Sequence, residues 1–336
     1  MTAPEPRANP LLIGHAAAEA TLAEAMRSAR LHHAWLLTGP EGIGKATLAF
    51  RFARRLLAGP SPDGTLALDE RDPVFRRVAA GSHADLHIVE RGWNEKTKRA
   101  RTEIIIDDVR AIAEFLHLTP AEGGWRVVVI DGVDDVNRNG ANALLKVLEE
   151  PPARAILLLV CSAAGRLLPT IRSRCRRLKL AALDDTAMAE LLARYLPDTP
   201  EQERARLATL GEGSIGRALH LADSGAVSVA DMVGRVLDAL PGLPPARAHE
   251  MADALGRDEA AFSTFMDLLR AAIASAVRAA ARGRADPEQA RLIGARPLAA
   301  WVDVWHALTH LQAETEHLHL DKRQAIVAGF SLLAGR

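Results

Sequence analysis

Cysteine, aromatic residues and net charge are what this sequence has least of. Two cysteines, Cys161 and Cys175, stand among 336 residues. Two thiols cannot build a disulfide framework or a four-cysteine zinc site. Their apolar and basic surroundings read as the small buried thiols of a reduced protein. Aromatic side chains make up 4% of the chain, which argues against a single-strand binder that works by base stacking. Lys+Arg and Asp+Glu both number 42, so no overall basic footprint points to nucleic acid, although local patches remain compatible with it. The apolar runs at 127–130 and 155–160 are too short to span a bilayer, and no membrane partner is expected. The first residues, Met1-Thr2-Ala3-Pro4-Glu5-Pro6, carry no basic region followed by an apolar stretch. No secretory signal is read there, and a cytoplasmic protein is expected.

What is present is a large core: 49% of residues are hydrophobic, and the length allows more than one domain. Residues 11–31 read as one amphipathic helix. Ala34-Trp35-Leu36-Leu37-Thr38 is a short apolar strand, and 46–57 is helical in composition. Leu86-His87-Ile88-Val89 and Ile104-Ile105-Ile106 read as strands around a basic turn that holds Lys96, Lys98, Arg99 and Arg101. A helix follows to about Leu118. The run 125–131 is a fully apolar strand ending in a carboxylate, the pattern of a parallel strand buried on both faces. A helix at about 139–150 stops at Pro151-Pro152, and 155–162 is a further buried strand. Alternating strands and helices predict an α/β fold with a parallel sheet covered on both faces. Beyond Leu180 the patterns are helical only, broken at 196–200, 211–213 and 240–245. The expected domains are therefore 1–180, 181–225 and 240–336.

Gly39-Pro40-Glu41-Gly42-Ile43-Gly44-Lys45-Ala46-Thr47 follows the phosphate-loop pattern G-x-x-x-x-G-K-[ST] up to its last position. Backbone N–H groups of such a loop surround phosphates, the next helix aims its N-terminus at them, and the lysine adds a point charge. Gly39, Gly42, Gly44 and Lys45 are placed for these roles. Ala46 stands where a hydroxyl normally ligates magnesium. Thr47 is a weak substitute, since one step along a helix rotates a side chain by about 100°. Asp131, at the end of its buried strand, is placed to orient magnesium. In related ATPases a water-polarising glutamate follows, but here Gly132 does, and Asp134 and Asp135 are displaced along the turn. Ser173-Arg174-Cys175 offers an arginine, read alone as a solvated or salt-bridged side chain.

Three segments then occur in order: 32–40 (His-His-Ala-Trp-Leu-Leu-Thr-Gly-Pro), 142–152 (Asn-Ala-Leu-Leu-Lys-Val-Leu-Glu-Glu-Pro-Pro), and Ser173-Arg174-Cys175. Together they resemble the AAA+ subunits of the bacterial DNA polymerase III clamp loader, and among these the delta-prime branch. Gly81-Ser82-His83-Ala84-Asp85 and Leu318-His319-Leu320-Asp321-Lys322-Arg323 fit the same branch. The resemblance implies an AAA+ P-loop module, a helical lid and an all-helical collar that oligomerises. It implies a subunit with little or no ATPase activity of its own, belonging to the polymerase holoenzyme. Arg174 becomes a trans arginine finger for the neighbouring motor subunit's ATP site. The implied partners are the motor subunits, the delta subunit, the sliding clamp and primed-template DNA.

Departures from the family pattern bear on cofactors. The family's four-cysteine zinc module would fall between Arg55 and Gly81, where no cysteine stands, so no metal and no zinc are expected. The lid motif Gly-Ser-x-Arg of motor subunits would place an arginine at 216, but the chain reads Gly213-Ser214-Ile215-Gly216-Arg217. With Ala46 and Gly132, this leaves a degenerate site that requires no cofactor, with weak ATP and magnesium binding left open. Lys146 is a candidate for contact with a DNA phosphate, against the commoner reading of a solvated lysine. His32 and His33, entering a strand in sequence, are expected on opposite faces, one packed and one bonded locally. Trp301 and Trp305 share a helix face and read as core. Two other readings stay open: an ATPase active in its own site, and a nucleotide-switched adaptor of another complex.

Overall fold

A computed structural model of the chain describes residues 4–28, 31–61, 63–94, 99–122, 124–223, 226–240, 242, 244–256 and 259–335. Two compact units divide it, Met1–Leu219 and His220–Arg336. In chain order the first unit contains α1 (Ala16–Arg27), β1 (Ala34–Thr38), α2 (Lys45–Ala58), α3 (Pro73–Ala79), β2 (Leu86–Val89) and the two-residue strands β3 (Trp93–Asn94) and β4 (Arg99–Ala100). It continues with α4 (Ile106–His117), β5 (Arg126–Asp131), α5 (Arg138–Glu149), β6 (Ala155–Cys161), α6 (Pro169–Ser173), β7 (Arg176–Lys179), α7 (Asp185–Tyr195), α8 (Glu201–Gly211) and the start of α9 (Ile215–Asp223).

Five strands form one sheet in the order β2-β5-β6-β1-β7, with every pairing parallel. Parallel neighbours need crossovers, and helices supply them on both faces. The strands alternate between two cores in strict period two. Trp35, Leu37, Val127, Val129, Leu158 and Val160 face the core built with α1 and α2. Leu36, Val128, Ile130, Leu157 and Leu159 face the core built with α4 and α5. Residues buried from both sides must be apolar throughout, which is why β1, β5 and β6 lack polar alternation. Strand β6 lies between β1 and β5, and its register sets Thr38 opposite Cys161 and Asp131 opposite Val160. The carboxyl ends of three strands are thereby brought level, which is where ligands of such sheets bind. This is the expected AAA+ P-loop arrangement.

Two local expectations are corrected, and one strand is added. The helix expected at 11–31 is shorter: α1 covers Ala16–Arg27. The residues before it run as a strap over α2, held by Arg51 to the Pro10 carbonyl at 2.7 Å and by buried Arg54 to the Arg7 and Asn9 carbonyls at 3.0 and 2.8 Å. The strand expected at 104–106 is a single parallel bridge from Ile104 to Val136, and α4 already begins at Ile106. Asp108 starts that helix by accepting the Ile105 N–H at 3.0 Å. Strand β7 carries no apolar run that would mark it in the sequence. Its sequence, Arg-Arg-Leu-Lys, buries only Leu178, because it is an edge strand pairing with β1 alone. Of the basic turn, Lys96 and Lys98 lie outside the described residues.

The second unit is helical among its described residues: α10 (Ala226–Ala239), α11 (Pro245–Leu255), α12 (Glu259–Ala281), α13 (Pro287–Gly294), α14 (Leu298–His317) and α15 (Lys322–Ala334). Helix α12 packs on α10, α13 and α14, and α15 packs on α11 and α14. Phe262, Phe265, Met266, Leu308 and Ile326 fill its core. Trp301 is buried there and donates its indole N–H to the Ile293 carbonyl at 3.3 Å. Trp305 is half-buried beneath the Arg270 guanidinium. No described helix is long and apolar enough to cross a membrane.

Candidate functional site

Strand β1 is wholly buried and delivers the chain at Thr38 into the glycine loop. Gly44 then starts α2 in the left-handed region, and no side chain caps that helix end. An uncapped N-terminus keeps its first N–H groups for an anion. Lys45 is buried at the head of α2, and its ammonium donates to the Pro40 carbonyl and to Ser162 Oγ, the latter at 3.0 Å. Burial holds this ammonium below its ordinary pKa, with Asp131 and Asp134 opposing the shift. Asp131 ends β5 with its carboxyl pushed above the usual range, first by burial and then by the nearby Glu90. The loop from Glu41 to Thr47, with Asp131 and Asp134, lines one cavity of about 870 Å³, and Gly39 lies outside that lining. Leu12, Ile13, Leu191, Tyr195 and Ile215 line it as well. An apolar set beside a phosphate cradle, in a space of this size, fits a nucleotide.

The magnesium side is poorer. Ala46 contributes no oxygen, and Thr47 is buried at the cavity wall, which leaves Asp131 as the sequence-predicted ligand. Asp134, the displaced substitute for a catalytic base, is committed elsewhere. Its carboxylate accepts the Ser162 N–H at 3.1 Å and the Ala163 N–H at 2.7 Å. These bonds tie the turn after β5 to the end of β6. The neighbouring Cys161 thiol is buried, pushed up to about 12 first by burial, and inert.

Two glycines turn missing side chains into backbone facts. Gly132 sits at φ 86°, and a Cβ there would lie 3.0 Å from Asp135 Oδ2. A glutamate at this position would therefore be strained before it reached any water. Gly216, in the first turn of α9, donates its N–H to the Gly42 carbonyl at 2.9 Å. A Cβ on Gly216 would meet Gly42 Cα at 3.0 Å, so the helix rests directly on the phosphate loop. An arginine fits at 216 only if that contact opens.

Sequence reasoning missed Ser162 and His15. His15 is buried and donates from Nε2 to the Ile43 carbonyl at 2.6 Å, bracing the loop from the strap side. A contact between residues 15 and 43 leaves no local pattern to read. Of the histidine pair, His32 bonds locally as expected, its Nδ1 lying 2.9 Å from the Ala34 carbonyl, but the two rings stack at 4.4 Å instead of taking opposite faces, and His33 Nε2 donates to the Leu148 carbonyl at 3.0 Å. In the segment 81–85, buried Asp85 accepts the Ala121 and Glu122 N–H groups at 2.7 and 3.0 Å. That segment is a brace outside the cavity lining.

Arg174 lies outside that lining. It follows α6, where Arg174 Nη1 donates to the Thr170 carbonyl at 3.0 Å and Nη2 pairs with Glu149 at 2.6 Å. Lys146 is exposed on α5 and borders a shallow depression of about 410 Å³ with Arg110, Asn139 and Asn142.

Residues 14–184 match the family model described as DNA polymerase III, delta subunit. The chain belongs to this family. It is 40% identical over 182 residues to DNA polymerase III subunit delta' of Pseudomonas aeruginosa, covering 54% of this chain and 53% of that protein. It is 33% identical over 214 residues to DNA polymerase III subunit tau/gamma of Haemophilus influenzae, covering 62% of this chain and 29% of that one. The tau subunit of Escherichia coli is 32% identical over 213 residues, with 62% and 31% covered. The chain thus spans about half the length, or less, of these curated relatives. Among solved structures, a gamma subunit-related protein of Thermotoga maritima aligns at a TM-score of 0.44 and 16% identity, covering 94% of this chain and 99% of that one. The RuvB Holliday junction branch migration motor of the same organism aligns at 0.45 and 17%, covering 98% and 92%.

Proposed function

We propose that this chain is a non-motor subunit of the DNA polymerase III clamp loader, acting in the cytoplasm to help load the sliding clamp at primed DNA. In this reading residues 1–180 form the AAA+ module, 181–225 the lid and 240–336 the collar that joins motor subunits and the delta subunit. Its own site holds nucleotide weakly, through Gly39, Gly42, Gly44, Lys45 and Thr47, with Asp131 toward magnesium, and does not turn it over. Arg174 serves the ATP site of a neighbouring motor subunit, and Lys146 faces a DNA phosphate.

One observation carries the reading. The catalytic side chains absent from the chain's own site are replaced by glycines with backbone roles: Gly132 holds a left-handed turn, and Gly216 rests against Gly42 of the phosphate loop. Asp134, the remaining carboxylate of that turn, is bound to Ser162 and Ala163. Against this, Arg174 is a cation presented outside that cavity.

The experiment measures ATP hydrolysis by the isolated chain, then by a mixture with gamma/tau-type subunits, clamp and primed DNA. The isolated chain is expected to be silent and the mixture active. Robust hydrolysis by the chain alone would favour the active-ATPase reading instead. Arg174→Ala should leave assembly intact and slow the mixture. An arginine finger contributes on the order of 10³-fold at the site it serves, so the total should fall by that site's share.

A further inference from the structure

Helix α5 ends on two glutamates, Glu149 and Glu150, at the negative pole of its macrodipole, where carboxylates are locally unfavourable. Glu149 is matched by one partner from outside its helix. Its Oε1 lies 2.6 Å from Arg174 Nη2, while Arg174 Nη1 donates back to the Thr170 carbonyl at 3.0 Å. The guanidinium is thus held from two sides, by the last turn of α5 and by α6, and these two helices pack together. The end of α5 is itself fixed, since His33, just ahead of β1, donates to the Leu148 carbonyl. Glu149 therefore rests on a braced helix end, on the strand that leads into the phosphate loop.

We infer that Glu149 is the positioning residue for Arg174, holding its guanidinium in the orientation in which it meets a neighbouring subunit's nucleotide. This rests on the finger role proposed above. The alternative device, a latch that masks the arginine until assembly, is too weak on magnitude. The side chains are 35% and 49% exposed, and an ion pair at such exposure shifts an equilibrium by a factor of about five at most. Masking also fails on geometry, because a guanidinium has five N–H donors and the two contacts do not exhaust them. Orientation is different. Misplacing a reacting group by about 1 Å can cost on the order of 10²-fold in rate, so turnover follows the oriented population and falls by up to about fivefold when the contact is lost.

The test uses the complete mixture with ATP, clamp and primed DNA, comparing Arg174→Ala, Glu149→Ala, Glu149→Gln and the double variant Arg174→Ala/Glu149→Ala. Glu149→Ala is expected to reproduce about half or more of the kcat loss seen in Arg174→Ala, with KM for ATP unchanged. Glu149→Gln, which keeps an oxygen acceptor for the guanidinium, is expected to recover part of that loss. The double variant should lose nothing beyond Arg174→Ala. Size-exclusion elution of the assembly and the circular dichroism of each variant should stay as in the parent, which separates positioning from a folding defect. If Arg174→Ala slows turnover while Glu149→Ala leaves it unchanged or raises it, the positioning role is wrong and the finger role stands. Equal additional losses from Glu149→Ala with and without Arg174 would also overturn it. If Arg174→Ala has no effect, both fail together.

Discussion

Ala46 is the departure that a single hydroxyl could mend. It is half-buried at the second position of α2, beside the core that α2 shares with β1 and β5. Ala46→Thr restores a hydroxyl where magnesium is normally held. Nucleotide binding by the isolated variant should become magnesium-dependent, with an affinity gain on the order of tenfold, measured by titration with a labelled ATP analogue with and without the metal. Turnover should not appear, because the hydroxyl replaces neither the missing base nor the missing lid arginine. The loop, Lys45, Ala46 and Asp131 were all legible in the sequence, since each lies in a contiguous motif whose letters report its chemistry. Asp134 was only half legible. Its identity was visible, but not its bonds to Ser162 and Ala163, 28 and 29 residues further on.

Elements explain why Gly216 differs from a simple loss. Helix α9 seats its first turn on the phosphate loop, with Gly216 Cα facing Gly42. Gly216→Arg inserts a side chain where a Cβ already meets backbone at 3.0 Å. It should destabilise the first unit by about 1–3 kcal/mol, read as a lower midpoint in urea, and should not create ATPase activity. The sequence showed that an arginine was missing at 216. That the glycine forms a contact of its own follows only from the approach of two backbones about 170 residues apart in the chain. Strand β7 is the reverse case, an element hidden because an edge strand needs apolar residues on one side only. Glu149 and Arg174 belong to this scale too, since the carboxylate ends one helix and the cation follows another.

For the molecule as a whole, one buried and two half-buried histidines weigh against the fold in acid. His33, His83 and His87 are each held below the ordinary imidazole value of 6.5, first by burial. The folded chain therefore binds fewer protons at these sites than the unfolded chain. Their contribution to stability is present above 6.5 and is lost as pH falls through the depressed folded values. Asp131 has the opposite sign: its raised carboxyl favours the fold in acid, and that contribution is lost as pH rises through its folded value. The melting temperature, followed by circular dichroism, should fall as pH drops from 7.5 to 5.5. His87→Phe should flatten that decline. His87 stacks on Phe115 at 5.3 Å, so an aromatic replacement keeps the contact and removes the titration.

The sequence by itself determined the parallel α/β layering, the phosphate loop, the carboxylate at the end of β5 and the arginine after α6. Each is a local pattern: buried strands show as unbroken apolar runs, and loops show as glycines at fixed spacing. Only the tertiary structure decided what the departures from the motif mean. Gly132 holds a left-handed turn and Gly216 rests on the backbone of Gly42, Asp134 is committed to the end of β6, and Arg174 is held by Glu149 outside the cavity. The physical reason is distance along the chain. A backbone approach, a bond to a remote amide and an ion pair between two helices are chosen when the elements pack, and no residue type announces its partner.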